Sequence, residues 1–311
     1  MEKLRKLFFD KEVHKYTDEY KNVYTSMTTC IEKYTEEFKT WDIAKACARI
    51  GTMPSHPKYE KYKGKSAKQL VHEWEETAKK ACEKGNNRHD YLEDIINKSN
   101  GFIEASKRYT KGRIYTIQDI MIDHDFGRID IDYFSKSGLK ERYPDIYKVI
   151  LSLHDAGFYF YAELGVFDEN RLISGLVDLP AFNHTNKTFI VVDWKTNKNP
   201  IVDKSGYFDK DVNGNETGVF IPKNSYFYPP IDHLPDSMLH KYSLQVSGYA
   251  VLIERYGYKN KGNIICHIRD VDGVEQVNII IALDLIKEAN TMFNDFHYNS
   301  NLKTQKRIFY E

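Results

Sequence analysis

The sequence predicts an α/β protein in which a mixed β-sheet is flanked by helices, behind an N-terminal helical region. Three observations predict it. Helical spacing of apolar residues dominates up to about residue 157. Three β-like runs then follow at 158–167, 172–182 and 188–196, separated by Asp168-Glu169-Asn170-Arg171 and by residues 183–187. Beyond them, a helical stretch at 239–256 precedes two more strand-like runs at 264–268 and 274–281, around Asp272-Gly273. Short polar connections make the first three strands antiparallel neighbours, a meander that brings Glu163, Asp178 and Asp193 toward one edge of one sheet.

Taken in order, residues 23–50 read as a turn into a helix, with Ser26, Thr28 and Thr29 as caps before Ile31, Tyr34 and Phe38. Residues 53–64 carry two prolines and read as a loop, around which Lys58, Lys61, Lys63, Lys65 and Lys68 cluster. Such a run is ordinarily solvated surface, with phosphate contact as the alternative. Gly64-Lys65-Ser66 matches the end of a phosphate-binding P-loop. The glycine needed earlier is Tyr59 and no strand precedes it, so no ATP site is expected. A helix over 66–84 follows, striped by Leu70, Trp74, Thr77 and Ala81, and Gly85 interrupts it. The next helix begins at Arg88 and sets His89 and Glu93 on one face. Asp119, Asp123, His124, Asp125, Asp130 and Asp132 lack a metal-loop pattern and read as exposed acidic surface. Residues 139–156 read as a helix with Pro144 in its first turns.

Residues 197–238, rich in Gly, Asn, Asp and Pro, read as an insertion. Asp209-Lys-Asp211-Val-Asn213-Gly214 begins like a calcium loop. The required glutamate falls on Phe220, so Asn213-Gly214 is read as a hairpin turn. The 239–256 helix carries Gln245 and Tyr249 four apart, and a helix over 283–297 closes the chain. The organisation expected is an N-terminal helical region, 1–157, containing the His89 helix. A core at 158–311 carries the 197–238 insertion, and both parts form one compact unit.

Composition narrows the functional classes. The 311 residues carry zero formal net charge, so a polyanionic partner would have to meet a local basic patch. The opening residues have no apolar h-region, and no stretch has the length of a membrane span, so an intracellular, cytoplasmic protein is expected, in a host's cytoplasm if phage-encoded. Cys30, Cys47, Cys82 and Cys266 are widely spaced and read as buried thiols.

The chemistry concentrates in Gly175-Leu176-Val177-Asp178-Leu179 and Val191-Val192-Asp193-Trp194-Lys195-Thr196. On a strand, Asp193 and Lys195 share a face while Ile190, Val192 and Trp194 take the other. Carboxylates and an ammonium in core strand cost several kcal/mol unless compensated. An Asp–Lys ion pair compensates one aspartate and leaves the other. Two aspartates on adjacent strands suit Mg²⁺ or Mn²⁺, with sites left for water and a phosphate oxygen. Lys195 could orient or deprotonate the water, or stabilise the transition state.

These motifs together resemble the PD-(D/E)XK nuclease superfamily, and their flanks resemble its RecB-like exonuclease branch. Gly85-x-x-x-His89-x-x-x-Glu93 upstream and Gln245-x-x-x-Tyr249 downstream are similar to that branch's flanking helices. Glu163 matches its acidic position before the first aspartate, and Tyr24-Thr-Ser-Met-Thr is similar to phage-type and mitochondrial genome-maintenance exonucleases. The resemblance covers about 66–98 and 158–281. It implies a restriction-endonuclease-like core. Asp178, Asp193 and His89 would be metal ligands, Lys195 the catalytic lysine, and Gln245 and Tyr249 the residues positioning it or the DNA backbone. Glu163 would be a further ligand or, like Glu93, a support for the ligands. Only Cys266 follows the Asp193–Lys195 motif, so no iron–sulfur cluster is expected, and no ATPase motif is found.

The function expected is a metal-dependent, sequence-independent DNA exonuclease for replication, repair or recombination, acting on single- or double-stranded DNA, alone or beside partner proteins. The alternatives are a structure-specific endonuclease with the same site and a nucleic-acid-binding module that does not cleave. Residues 58–68 and 197–238 are the candidate strand guides.

Overall fold

Strand β8 (Thr188–Lys195) lies between β11 (Lys259–Val271), to which it runs parallel, and β7 (Leu179–Asn183), to which it runs antiparallel. With β12 (Val274–Ile281) and β4 (Tyr159–Phe160) they form a sheet of order β12-β11-β8-β7-β4. A second sheet has the order β1-β2-β3-β6-β5, with β1 (Leu7–Asp10), β2 (Lys15–Asp18), β3 (Val23–Ser26), β5 (Leu164–Asp168) and β6 (Ile173–Val177). Here β3 is parallel to β6 and the other pairs are antiparallel. The computed structural model describes residues 5–101, 112–122, 125–211 and 216–308, and over these the protein is mixed α/β, with mixed sheets flanked by helices.

The expected single meander is therefore divided. Residues before Asp178 pair with β3 and β5, and residues after it pair with β8 and β4. Its neighbour bends at the same level. Glu163 has φ 54°, a left-handed conformation that breaks strand pairing, and its N–H donates to the Asp178 carbonyl at 3.0 Å. Two carboxylates thus stand where two adjacent strands change sheets.

The N-terminal part is less helical than expected, because β1 to β3 precede its first helix. Residues 23–50 give β3 and two separate helices, Met27–Glu32 and Thr40–Ile50. Conversely, Gly85 does not interrupt its helix. Ala67–Ser99 is continuous, started by a Ser66–Gln69 capping box. An interior glycine costs about 1 kcal/mol relative to alanine, but a Cβ at Gly85 would stand 2.8 Å from Thr196 Oγ1. The missing side chain lets the helix approach the end of β8. Residues 139–156 form two helices, Leu139–Arg142 and Pro144–Asp155, the second starting at the proline. The insertion contains an antiparallel pair, β9 (Gly206–Lys210) and β10 (Glu216–Pro222), while Asn213-Gly214 lies outside the described residues.

The apolar side chains of β8 alternate between two core clusters, although Val191 to Trp194 are all buried. Phe189 and Val191 join the core cluster containing Leu244 and Tyr249, and Val192 and Trp194 join another containing Leu92, Ile95 and Ile150. The helix Met238–Glu254 covers the first face, and the C-terminal half of Ala67–Ser99, with Pro144–Asp155, covers the second. Among the described residues, no helix is long and apolar enough to cross a membrane.

One structural ion network fastens Ala67–Ser99 to the sheet. Arg88, its side chain 4% exposed, donates to Glu275 Oε1 at 2.7 Å, while Tyr143 donates to Oε2 at 2.7 Å. Burial works against the charge, yet hydrogen bonds from Tyr143, Arg88 and Arg142 hold the Glu275 carboxyl below its ordinary value. Such a group stabilises the fold above its unfolded pKa of 4.5, and the contribution fades as pH falls below that value. Glu275→Ala would leave Arg88 buried without its partner. It is expected to cost about 3 kcal/mol at pH 7 and much less near pH 3 in urea unfolding.

In the acidic segment Asp130 and Asp132 are exposed as expected, whereas Asp119 is held in contacts. Asp119 accepts from the Thr116 N–H at 2.9 Å and pairs with Arg113, and Asp130 caps the helix Ile131–Ser135. Asp119 is therefore half-buried in contacts rather than free acidic surface; Asp123 and His124 lie outside the described residues. Of the four free thiols, Cys30 and Cys266 are buried as expected, whereas Cys82 is exposed.

Candidate metal centre and its cleft

The strand bend, the end of β8 and two helices surround an open cleft of about 1120 Å³. His89, Glu163 and Asp178 each offer one ligand atom, and these atoms lie within 4.8 Å of one another. His89 Nδ1 stands 3.7 Å from Asp178 Oδ1. The other oxygen, Oδ2, accepts the Trp194 N–H at 2.7 Å, just beyond Val192, the last β8 residue paired with β7. The bend thereby frees a backbone donor that fixes the carboxylate.

The expected ligand set is brought together in part. His89 and Asp178 meet, and Glu163 completes the trio rather than standing behind it. Asp193 sits beside the trio, 1% exposed, with Oδ2 2.6 Å from Lys195 Nζ. That contact is a short charge pair with both partners largely withdrawn from solvent. Glu93 stays outside the trio and accepts from Asn97 Nδ2 at 3.2 Å.

Crowded carboxylates without a counter-ion resist ionising. Burial, then Asp178 and Glu93, push the Glu163 carboxyl up to about 9. Burial and the Asp193 charge push Asp178 up to about 6, although His89 and Lys195 pull the other way. Burial opposes charge on Lys195, but Asp193 and Asp178 hold its ammonium above the ordinary value. Hard oxygens with one imidazole, short of positive charge, fit a Mg²⁺ or Mn²⁺ ion. For acids with raised folded pKa values, the unfolded chain releases protons first, so stability falls as pH rises from about 4.5 toward about 9. In scanning calorimetry of metal-stripped protein at pH 8, Glu163→Gln is expected to raise Tm by about 4 °C, or about 2 kcal/mol. Added Mn²⁺ is expected to raise the Tm of the wild type and to leave that of Glu163→Gln unchanged.

Gln245 and Tyr249 also line the cleft, with Gln245 Nε2 donating to the Tyr249 hydroxyl at 2.9 Å. The Tyr249 ring packs where a Cβ on Gly175 would be, so the glycine before Asp178 makes room for it. The side chain that meets Lys195 is instead Tyr242, whose ring centre is 4.8 Å from Nζ. Its hydroxyl donates to Asn197 Oδ1 at 3.1 Å. Sequence reasoning missed this role, although Tyr242 stands three residues before Gln245 on the same helical face. It also missed the β1–β2 hairpin, whose Phe9, Lys11, His14 and Tyr16 line the cleft. The alternation in Lys15-Tyr16-Thr17-Asp18 is the signal that was available.

Of the expected strand guides, the lysines of 58–68 are largely engaged elsewhere. Lys58 pairs with Asp209, Lys63 with Glu60 and Lys65 with Glu73, and Lys61 donates to the Asp211 carbonyl. Neither the models of known protein families nor the curated proteins of known sequence give a match to this chain.

Proposed function

We propose that this protein is a metal-dependent nuclease that hydrolyses DNA phosphodiester bonds from an end, with a restriction-endonuclease-like core of the PD-(D/E)XK type. One observation carries the reading: His89, Glu163, Asp178 and Lys195, from separate segments, line one open cleft, with Asp193 buried behind it against Lys195. A structural ion pair accounts for Asp193 and Lys195 but gives no reason for two further carboxylates with raised pKa values beside it.

His89, Glu163 and Asp178 would hold the ion, with Asp193 adjoining once Lys195 turns toward substrate. When bound, a divalent ion lowers the pKa of its water and neutralises charge on the phosphoryl oxygens. Lys195, held protonated by its two carboxylate neighbours, serves as a donor to a phosphoryl oxygen rather than as a base. Tyr242 limits where that ammonium can go. The Trp194 N–H keeps Asp178 Oδ2 fixed, so Oδ1 is presented to the cleft beside His89. Such a site reads backbone rather than bases, in keeping with sequence-independent cutting inside the cell during DNA replication, repair or recombination.

End-labelled linear DNA and closed circles incubated with Mg²⁺ or Mn²⁺ test the reading. Release of nucleotides from linear DNA alone is expected. Cleaved circles would make the protein an endonuclease, and intact substrates of both kinds would leave it a binding module.

A further inference from the structure

A second groove, of about 920 Å³, continues from the cleft, and Ala81, Asn197 and Lys198 line both. Its floor is the chain that leaves β8, and that chain is pinned. Asn197 O accepts from His267 Nε2 at 2.8 Å, and Lys198 O accepts from Arg269 Nε at 3.1 Å. The two walls differ in chemistry. The side built from residues 198–210 and 220–223 presents Lys198, Lys204, Lys210 and Lys223, whereas the side built from residues 36–46 carries Glu36, Glu37 and Asp42 beside Lys39. Aromatic rings stand on both, with Phe38 68% exposed on the acidic side and Tyr207 46% exposed on the basic side. The Lys223 ammonium lies 5.8 Å from the Tyr207 ring centre.

Large exposed rings in a groove floored by the active-site chain call for an occupant with flat apolar faces. The lysine row calls for one with regularly spaced negative charge along one edge. A single nucleic-acid strand has both, because its bases are free to stack while its phosphates track the lysines. A duplex hides its base faces in its own stack, and two backbones would bring one phosphate row against Glu36, Glu37 and Asp42. We infer that this groove is a single-strand path that leads DNA to the metal cleft, with phosphates along Lys198, Lys204 and Lys223 and bases stacked on Phe38 and Tyr207. The inference rests on the phosphodiester reading for the identity of the strand and adds that the strand is unpaired.

The test is fluorescence anisotropy of the full chain in EDTA, with labelled oligothymidylate and a blunt duplex as probes. Wild type is expected to bind the single strand more tightly than the duplex. Phe38→Ala and Tyr207→Ala, both at exposed positions, should each weaken single-strand binding about tenfold and leave duplex binding unchanged. Lys204→Gln combined with Lys223→Gln should flatten the salt dependence of single-strand affinity by about 1.4 in log–log slope, about 0.7 per phosphate. Single-strand affinities of the aromatic variants equal to wild type, or equal losses on both probes, would overturn the groove assignment. Mn²⁺-dependent hydrolysis of bis(p-nitrophenyl) phosphate by wild type is read separately. Its absence, with the aromatic losses present, would reject the nuclease reading and keep the groove.

Discussion

Asp178→Asn is expected to lower metal-dependent cleavage at least about 10³-fold while leaving the fold intact. Asp178 belongs to the His89–Glu163 trio and is also anchored by the Trp194 N–H. Asparagine keeps the shape and an oxygen to accept that N–H, so the strand bend survives. What it removes is a negative charge, and with it much of the attraction for a divalent ion. Since that carboxyl is already pushed up to about 6 by burial and Asp193, losing its charge relieves the metal-free protein. The Tm without metal should therefore stay level or rise, as the activity falls. Circular dichroism melts and end-labelled cleavage on the same preparations check both halves. A parallel loss of Tm and activity would mean that Asp178 is mainly structural.

Lys195→Ala carries the largest expected loss of stability. Asp193 is 1% exposed, and Lys195 is the cation 2.6 Å from its Oδ2. Removing one partner of a buried pair leaves an uncompensated charge, at a cost of about 3–5 kcal/mol. A Tm drop on the order of 8 °C at pH 7 follows. Cleavage should fall by at least about 10²-fold, because the donor to the phosphoryl oxygen is gone. Combining Asp193→Asn with Lys195→Met removes both charges and should recover most of the Tm, without recovering activity. If Lys195→Ala melts like wild type, the pair is not a desolvated one.

Much of the site was legible because its residues violate their surroundings. Asp178, Asp193 and Lys195 interrupt apolar strands, and His89 with Glu93 and Gln245 with Tyr249 each stand four apart on a helix. The less legible parts depend on tertiary geometry. A left-handed residue at Glu163 that splits one meander between two sheets has no local sequence mark, since φ there is set by the neighbouring bend. Gly85 looked like a helix break because propensity counts its cost and not the close approach to Thr196 that it permits. The short strands β1 to β3, four residues each, fall below the length at which alternation stands out. Their hairpin nonetheless supplies one wall of the cleft.

The most direct measurement is nucleotide release from end-labelled linear single-stranded DNA, followed for wild type and Asp178→Asn with Mn²⁺ and then with excess EDTA. Release by wild type that EDTA stops, with Asp178→Asn inactive under both conditions, is the result predicted. Release that persists in EDTA, or that Asp178→Asn sustains at the wild-type rate, would contradict a metal-dependent nuclease centred on this cleft.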